Sequence, residues 1–552
     1  MRSDGFRPYQ KELAKIYNSK RWWLGLTFGD ILDRAADCYP EKIGIVTEEV
    51  RLSYADFRNE VNRVAIAFSK LGLGKGDRVI IQLPNWIEFL LVFFGLQKIG
   101  AIGVFALPRH SQAEIEYLAE LTQAKAWVVP ISYRKTDFRP LIRSVQSKRF
   151  NLEYIITPRD TIEGTILFDE MKDSASLPPD PQGYLESLRP DPMDMANILL
   201  TGGTTGLPKG VPRDHNSHIL NGHGWVWCWE LGNQDTGLIA MPLGHNAPHI
   251  TVVYPMMLTG GKIVVVTGTG PKEILETVEK ERITYITPVP AQMEAILSFP
   301  DFSKYDLSSL RLITLGGAHS SPELIKRLND KFGAIQLANV FGMAEGPCTS
   351  TRKYDSGELV GRTVGLPACP YDDFKVVDDR EEEVQVGVEG ELVAKGPGVF
   401  TGYYKTKNKD LSETFTRNGY LKTGDLAKKV NEQGHIQITG RKKDVIIRGG
   451  ENISSVQVEE WVAGHPHVET VAVVGMPDPI LGERICAYIK LKKGGSLQIG
   501  ELTAFLKGKG ASVFLLPERI EIIDELPLTN IGKVDKKALR VDIAAKLKAE
   551  TS

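Results

Sequence analysis

Residues 196–210 read Ala196-Asn197-Ile198-Leu199-Leu200-Thr201-Gly202-Gly203-Thr204-Thr205-Gly206-Leu207-Pro208-Lys209-Gly210. The first five have the apolar run of a buried strand. The glycines that follow let backbone approach oxygen atoms closely and adopt positive φ. Thr201, Thr204 and Thr205 add hydroxyl donors, and Lys209 adds a positive charge. A strand emptying into such a loop predicts an α/β protein that holds polyphosphate at a sheet edge. The segment departs from the Walker pattern, because Leu207-Pro208 separates Gly206 from Lys209. That insertion disfavours a P-loop motor or scaffold. The bland alternative is a Gly/Thr-rich surface turn.

Around this loop lie 552 residues, room for roughly three or four domain-sized units. Hydrophobic residues make up 42% and charged residues 25%, the balance of an ordinary soluble protein. A net charge of −2 points away from nucleic acid and from anionic membranes. Cys38, Cys228, Cys348, Cys369 and Cys486 are scattered without CxxC spacing, which argues for a reducing compartment and against disulfides or zinc. The N-terminus carries no signal-peptide pattern. The most apolar stretch, 89–107, is interrupted by Gln97-Lys98 and three glycines, and reads as a buried helix followed by a strand. A cytoplasmic protein is expected.

Strand-like and amphipathic runs alternate through the first ~190 residues, as at 42–47, 53–71, 78–83 and 86–99. The Pro/Asp/Ser-rich stretch 174–194 reads as a linker. A second α/β stretch follows, with strands expected at 237–241, 262–266 and 310–315 and a helix at 271–282. Residues 360–440 are rich in glycine and β-branched residues and suggest a small, mostly β subdomain. The polar run 440–444 marks a break. Beyond it, helices are expected at 455–464 and 499–509, with strands at 468–475, 484–492 and 519–524.

Four islands join the first loop: Asn339-Val340-Phe341-Gly342-Met343-Ala344-Glu345-Gly346, Tyr420-Leu421-Lys422-Thr423-Gly424-Asp425, Gly440–Asp444, and Pro527–Asp535 with Lys533 in a tight turn. Each alone has a dull explanation as a turn or a solvated charge. Their order and spacing resemble the adenylate-forming superfamily of acyl-CoA synthetases, luciferases and peptide-synthetase adenylation domains. The likeness covers roughly residues 25–545. Within that superfamily the chain looks most like the stand-alone aryl-acid AMP ligases, such as the 2,3-dihydroxybenzoate-AMP ligases of siderophore pathways. Phe341–Gly346, His245-Asn246, Leu315–Ala318, Arg448–Glu451 and Gly532–Lys537 carry that closer match.

The resemblance implies an α/β fold with a large N-terminal domain of layered α/β subdomains plus a small β subdomain (1–440). A small, mobile α+β lid domain (441–552) would follow. It implies ATP- and Mg²⁺-dependent activation of a carboxylic acid as acyl-AMP, then thioester formation on CoA or on the phosphopantetheine of an aryl carrier protein. Two anions approach each other in the first step, so charge neutralisation is the main need. By resemblance, Thr201, Gly202, Gly203, Thr204, Thr205, Gly206 and Lys209 cradle the β,γ-phosphates, and Glu345 holds Mg²⁺. Adenine lies between Gly317-Ala318 and Val340-Phe341-Gly342. Asp425 takes the ribose hydroxyls with help from Arg441. Lys533 bridges the acid and the α-phosphate. Lys443 matches a hinge, and Arg448, Gly449 and Gly450 match the wall of a pantetheine channel.

The acid should meet His245, Asn246, Ala247, Thr251 and Gly316. The aryl-acid family usually has Tyr where Ala247 stands and Ser where Thr251 stands, which predicts a larger, less polar pocket and puts a catechol acid in doubt. A benzoate derivative, a bulkier aryl acid and an alicyclic acid fit equally, and a medium-chain fatty acid is the alternative substrate. The four-residue spacing of His245 and His249 could suggest a metal pair, but Pro248 is expected to break the helix such a pair needs. The aromatic residues of 225–229 are expected to pack core or pocket wall. A non-catalytic acyl-adenylate or nucleotide sensor is the alternative function, opposed by the intact Lys533, Glu345 and Asp425.

Overall fold

The computed structural model describes residues 5–148, 150–201, 209–318, 320–333, 335–405, 411–448, 451–529 and 533–551. The chain divides into two compact units. One comprises Met1–Gly361, Gly365–Asp373 and Ala394–Gly419; the other comprises Arg362–Val364, Phe374–Val393 and Tyr420–Ser552.

Two sheets dominate the first unit. Among the described residues one has seven strands, ordered Lys209–Asp214, Met195–Thr201, Ile102–Phe105, Arg78–Ile81, Ala126–Val128, Tyr154–Thr157 and Ile166–Leu167. Met195–Thr201 runs parallel to Ile102–Phe105 but antiparallel to the edge strand, with Thr201 paired to Lys209. The Gly/Thr-rich segment therefore joins two antiparallel strands, where a Walker loop passes from strand to helix. Its residues 202–208 lie outside the described ones.

The other sheet has nine described strands, and its centre is parallel: Gln336–Gly342, Leu312–Leu315, Tyr285–Ile286, Thr236–Ile239, Lys262–Val265 and Ile43–Val46. Parallel strands need both faces covered. Helices Pro271–Glu281 and Pro322–Phe332 cover one, burying Ile274, Leu275, Val278, Leu324, Ile325 and Leu328 with Leu238, Val264 and Ile313. Helix Ile87–Lys98 is apolar around most of its circumference and buried along its whole length, as such a helix must be. Its terminal Lys98 bonds both oxygens of Asp33, at 2.6 and 2.7 Å. Burial lowers the lysine pKa, and Asp33 opposes the shift.

The expected elements at 42–47, 53–71, 78–83 and 86–99 correspond to Ile43–Val46, Tyr54–Lys70, Arg78–Ile81 and Ile87–Lys98. The stretch read as a linker contains a helix, Pro181–Ser187. Asp180 caps it, proline opens it, and the Tyr184 hydroxyl shares a 2.8 Å hydrogen bond with Ser69. Asp-Pro is a helix start as much as a linker signal.

Farther along, Asp373–Val377, Gly390–Lys395, Leu421–Lys429 and Ile436–Arg441 form a four-stranded sheet. A second sheet carries Glu451–Ser454, Val445–Arg448, Gly482–Leu491 and Val468–Asp478, with Arg519–Ile522 parallel to Gly482–Leu491. Helices Ser455–Ala463 and Ile499–Gly508 bury Val458, Val462, Leu502 and Leu506 with this sheet's Val473 and Ile485. A further helix, Lys536–Thr551, packs Leu539 and Ile543 with Val474, Cys486 and Tyr488. No helix among the described residues is long and apolar enough to cross a membrane.

Helix His215–Trp229 buries His215 and His218, and His249 lies buried nearby among Phe89, Phe93 and Phe105. Burial lowers His215 and His249 to about 3, and His218 well below its ordinary value. Unfolded histidine titrates near 6.5, so the stability these neutral rings permit is present above that pH and lost as pH falls toward 3. Each should remove about 2 kcal/mol between pH 7.5 and 5. Urea unfolding at those two pH values should show the loss, and His249→Phe should show a smaller one. An equal loss in the variant would exclude His249 as a contributor.

Candidate active site

Lys209, the first residue after the undescribed loop, places its Nζ 4.6 Å from the ring centroid of Tyr403. The Tyr403 hydroxyl donates to Glu345 Oε1 at 2.8 Å. Burial, reinforced by the Glu345 charge, pushes the phenol pKa up, so the O–H remains a donor. Glu345 is only 3% exposed. A lysine, an aromatic ring and a buried carboxylate from distant parts of the chain thus form one cluster at the start of strand Lys209–Asp214.

The Glu345 loop is fixed by backbone contacts. Arg213 Nη1 donates to Ala344 O at 2.9 Å, and its Nη2 donates to Gly398 O at 2.8 Å and to Asn221 Oδ1 at 2.7 Å. Asn221 Nδ2 then donates to Gly346 O at 3.0 Å. Phe400 N donates to Glu345 O at 2.7 Å. Gly346 has φ +117°, and a Cβ there would stand 2.0 Å from Gly398 O. Both the dihedral and the close approach require glycine.

Gly316, Gly317 and Ala318 follow strand Leu312–Leu315, whose parallel neighbour ends in Val340, Phe341 and Gly342. A Cβ on Gly316 would lie 2.3 Å from Val340 Cγ2 and 3.1 Å from Val340 O, so a side chain at 316 would collide with Val340. Gly317, at φ +80°, turns the chain away. Residues 316–318 and 340–342 therefore meet at the carboxyl ends of parallel strands, where open α/β sheets bind ligands.

The second unit holds its own cluster. Asp425 pairs across two antiparallel strands with Arg441, whose Nε reaches Oδ1 at 2.8 Å. Oδ2 is buried and has no hydrogen-bond partner among the described residues. Burial raises the Asp425 pKa; Arg441, Lys533 and Lys443 oppose it. Lys533 is lowered to about 8, first by burial and then by Arg441 and Lys443, against the pull of Asp425. The structure so groups Asp425, Arg441, Lys443 and Lys533. Lys443 sits in the short turn Lys442–Asp444, its carbonyl accepting from Arg540 at 3.3 Å. Arg448 Nε is held by Glu518 at 2.6 Å. Gly449 and Gly450 lie outside the described residues, as do residues 530–532.

The 245–251 segment corrects one expectation. Pro248 does not break a helix. Helical backbone runs from Asn246 to Thr259, with a π-helical stretch at His249–Val253. Proline sits in the first turn, where its missing N–H has no intrahelical partner to lose. His245 caps this start, its Nδ1 accepting from Ala247 N at 3.2 Å. His249 Nε2 donates to Leu243 O at 2.7 Å. Asn246 Oδ1 is 2.8 Å from His218 Nε2, and His218 Nδ1 is 3.2 Å from Asn197 Nδ2. The carbonyl oxygen accepts, so His218 donates to Asn246 and accepts from Asn197. Thr251 Oγ1 donates to Ala247 O at 2.8 Å, and the Tyr285 hydroxyl donates to Thr251 O at 3.2 Å. Trp225 and Trp229 stack in the core, whereas Trp227 is partly exposed.

Tyr403, Arg213, His218 and Asn197 escaped the sequence reading. Arg213 and His218 flank the recognised loop, but their partners lie far off in sequence. Tyr403 sits in Thr401-Gly402-Tyr403-Tyr404, an aromatic-glycine cluster that could have drawn notice.

The Lys209–Tyr403–Glu345 cluster of the first unit and the cationic cluster around Asp425 in the second are each suited to a charged ligand, and sequence comparison gives the class of protein. Residues 32–404 match the AMP-binding enzyme family, and residues 457–533 match the AMP-binding enzyme C-terminal domain. The chain belongs to this family of adenylate-forming ligases. It is 38% identical over 548 residues to the 2,3-dihydroxybenzoate-AMP ligase of Bacillus subtilis (strain 168), covering 99% of each chain. It is 32% identical over 544 residues to the salicyl-AMP ligase / salicyl-S-ArCP synthetase of Mycobacterium tuberculosis, covering 97% of this chain and 94% of that one. Among solved structures, the anthranilate CoA ligase AuaEII in complex with anthranoyl-AMP superposes with a TM-score of 0.83 at 25% identity, over 95% of this chain and 98% of that one.

Gly346→Ala tests the loop packing. Positive φ and a backbone clash together should cost about 2 kcal/mol or more. Denaturant unfolding measures it, and a change below 0.5 kcal/mol would mean that the loop yields readily.

Proposed function

We propose that this protein uses MgATP to adenylate an aromatic or other ring-bearing carboxylic acid and then transfers the acyl group to a phosphopantetheine thiol, of CoA or of an aryl carrier protein. The observation that carries this reading is the Lys209–Tyr403–Glu345 cluster beside the Gly/Thr-rich hairpin. Thr201 to Lys209 would hold the β,γ-phosphates. Glu345 supplies a hard oxygen donor suited to Mg²⁺, which when bound would neutralise phosphate charge. The strand-end cleft of Gly316–Ala318 and Val340–Gly342 would take the adenine, with Phe341 as a stacking face.

In the second unit, the unpartnered Oδ2 of Asp425 suits a ribose hydroxyl donor, and Arg441 favours the ionised carboxylate against the effect of burial. Lys533 would bring its ammonium to the acid carboxylate and α-phosphate. Lys443 would serve as the hinge between half-reactions, and Arg448 with Gly449-Gly450 would line the pantetheine path. Asn246, His245, Ala247, Thr251 and Gly316 would meet the acid. The names of the relatives, with dihydroxybenzoate, salicylate and anthranilate among their acids, support a ring acid; Ala247 and Thr251 favour one less polar than a catechol. A siderophore pathway agrees with the aryl-acid likeness.

Acid-dependent ATP–pyrophosphate exchange tests the reading with 2,3-dihydroxybenzoate, salicylate, benzoate, cyclohexane and cyclohexene carboxylates, and a medium-chain fatty acid. Exchange should be strongest with a ring acid. Folded enzyme silent with every acid would overturn the proposal. Supplying CoA in one arm and phosphopantetheinylated carrier in another identifies the acceptor.

Lys533→Ala should lower adenylation roughly 100-fold or more while retaining part of the thiolation of supplied acyl-AMP. A lysine with pKa about 8 is charged below that value. Adenylation kcat/KM should therefore fall as pH rises through about 8, and Lys533→Arg should carry the fall upward. A flat profile from pH 7 to 10 in the unsubstituted enzyme would remove Lys533 from the charge-neutralising role.

A further inference from the structure

Residues 5–23 precede the stretch that matches the AMP-binding family, which begins at residue 32. They are nonetheless ordered onto one specific target. Tyr9, Tyr17 and Trp23 interlock edge to face, with centroids 5.0 to 6.0 Å apart, and Trp22 stacks on Tyr371 at 4.9 Å. Tyr9, Tyr17 and Trp23 are buried. The polar tips of Tyr9 and Trp23 are hydrogen-bonded within the protein.

Those tips grip the segment 397–405. Trp23 Nε1 donates to Pro397 O at 3.0 Å, and the Tyr9 hydroxyl donates to Val399 O. The carbonyl between them, Gly398 O, is taken by Arg213. Farther along, the Thr401 hydroxyl donates to Arg7 O, and Lys405 N donates to Gly5 O at 3.0 Å. Nearly every turn of this segment is therefore tied to residues 5–23 on one side. On the other it is tied to the site: Phe400 N to Glu345 O, Tyr403 hydroxyl to Glu345 Oε1, the Tyr403 ring to Lys209, and Tyr404 N to Gly210 O at 2.8 Å.

We infer that residues 5–23 are a strap that positions the metal-binding and phosphate-binding end of the active site, acting through residues 397–405, with Tyr403 as the positioning residue that orients the Glu345 carboxylate and Lys209. The inference rests on the proposed role of Glu345 toward Mg²⁺. Tyr403 has two distinct contacts to make, one through its hydroxyl and one through its ring face. A rotation or slide of 397–405 would lose both together. A strap serving only stability would affect ATP, metal and acid alike. A strap that positions Glu345 and Lys209 should affect MgATP and leave the acid untouched.

The test uses the full chain in four forms: unsubstituted, Glu345→Gln, Tyr403→Phe, and Tyr9→Phe combined with Trp23→Phe. The tyrosine and glutamate changes keep the ring or the side-chain volume, Trp23→Phe leaves a smaller ring, and melting curves confirm folding. Two quantities are read: the Mg²⁺ concentration giving half-maximal pyrophosphate exchange, and the dissociation constant of MnATP by calorimetry without acid. The KM for acid at saturating MgATP is the internal control. Tyr403→Phe and the double substitution should each raise both quantities about 10-fold, from the loss of one or two hydrogen bonds, with acid KM changed less than 2-fold.

If Glu345→Gln raises the Mg²⁺ requirement but the double substitution does not, the strap inference falls and the metal role of Glu345 stands. If Glu345→Gln also leaves that requirement unchanged, the metal role falls and the inference with it. An equal rise in acid KM and MgATP dissociation constant in the double substitution would reduce the strap to general stabilisation and overturn its positioning role. Should the double substitution fail to fold, Thr401→Val removes a strap contact while sparing the aromatic core, and the same readouts decide.

Discussion

Arg213 carries a permanent charge at a position 1% exposed, and much of the site follows from how that charge is accommodated. A guanidinium cannot escape burial by losing its proton, so it must be surrounded by acceptors. The nearby carboxylates meet that need only in part: burial raises Asp214, and it raises Asp372 to about 7 despite the guanidinium. Neutral acceptors do much of the work instead, and they are the carbonyls of Ala344 and Gly398 with the side chains of Asn221 and Ser217. Those carbonyls belong to the loop of Glu345 and to the segment of Tyr403. The buried charge therefore ties together the hairpin loop of Glu345 and the segment of Tyr403.

The electrostatics of the two units differ in kind. In the first, the Glu345 carboxylate is oriented by a neutral phenol. A tyrosine whose pKa is raised donates a hydrogen bond without cancelling the negative charge, and under the proposed function the carboxylate so remains available to a cation. In the second unit three cations, Arg441, Lys443 and Lys533, stand around one buried aspartate. Burial lowers Lys533, and the neighbouring cations Arg441 and Lys443 add to the shift because each makes its charge less favourable. An anion arriving there would reverse the balance. Under the proposed function, acid and α-phosphate supply that anion, and the ammonium becomes most stable where charge neutralisation is needed.

The parts of this architecture legible in the sequence are those written in local pattern. Strand Met195–Thr201, the helices at 54–70 and 271–281 and the strands of the C-terminal region announce themselves by periodicity and by caps. So does Lys536–Thr551 in retrospect, because Leu539, Ile543 and Leu547 recur every four residues among lysines that masked the stripe. Pro248 misled because a proline reads as a breaker unless the helix start is already known. The grouping of residues 316–318 with 340–342 was anticipated by likeness, and the parallel pairing of their strands gives it a physical basis. Tyr403, Arg213 and the Asn197–His218–Asn246 chain were not legible. Each is defined by a partner more than twenty residues away, and no periodicity encodes such a meeting.

The segment expected to meet the acid rests on an uncharged polar floor. His218 and His249 are held neutral by burial, and the hydrogen bonds they make go to an amide and a backbone carbonyl. Because its Oδ1 accepts from His218, Asn246 has its amide N–H groups as the part it can offer. Neither histidine therefore offers a charge to a carboxylate near neutral pH. Under the proposed function, the acid's charge must then be met elsewhere, by Lys533, and the ring must be selected by shape and by one amide. Position 247 decides that shape. Alanine removes the flat wall and hydroxyl that tyrosine provides in the aryl-acid family, and Thr251 turns its hydroxyl back onto the Ala247 carbonyl. The first change removes a hydroxyl, and the second keeps one but engages it with the backbone of the same turn. An acid rich in hydroxyls would pay desolvation there without recovering hydrogen bonds, whereas a plainer or bulkier ring would lose nothing.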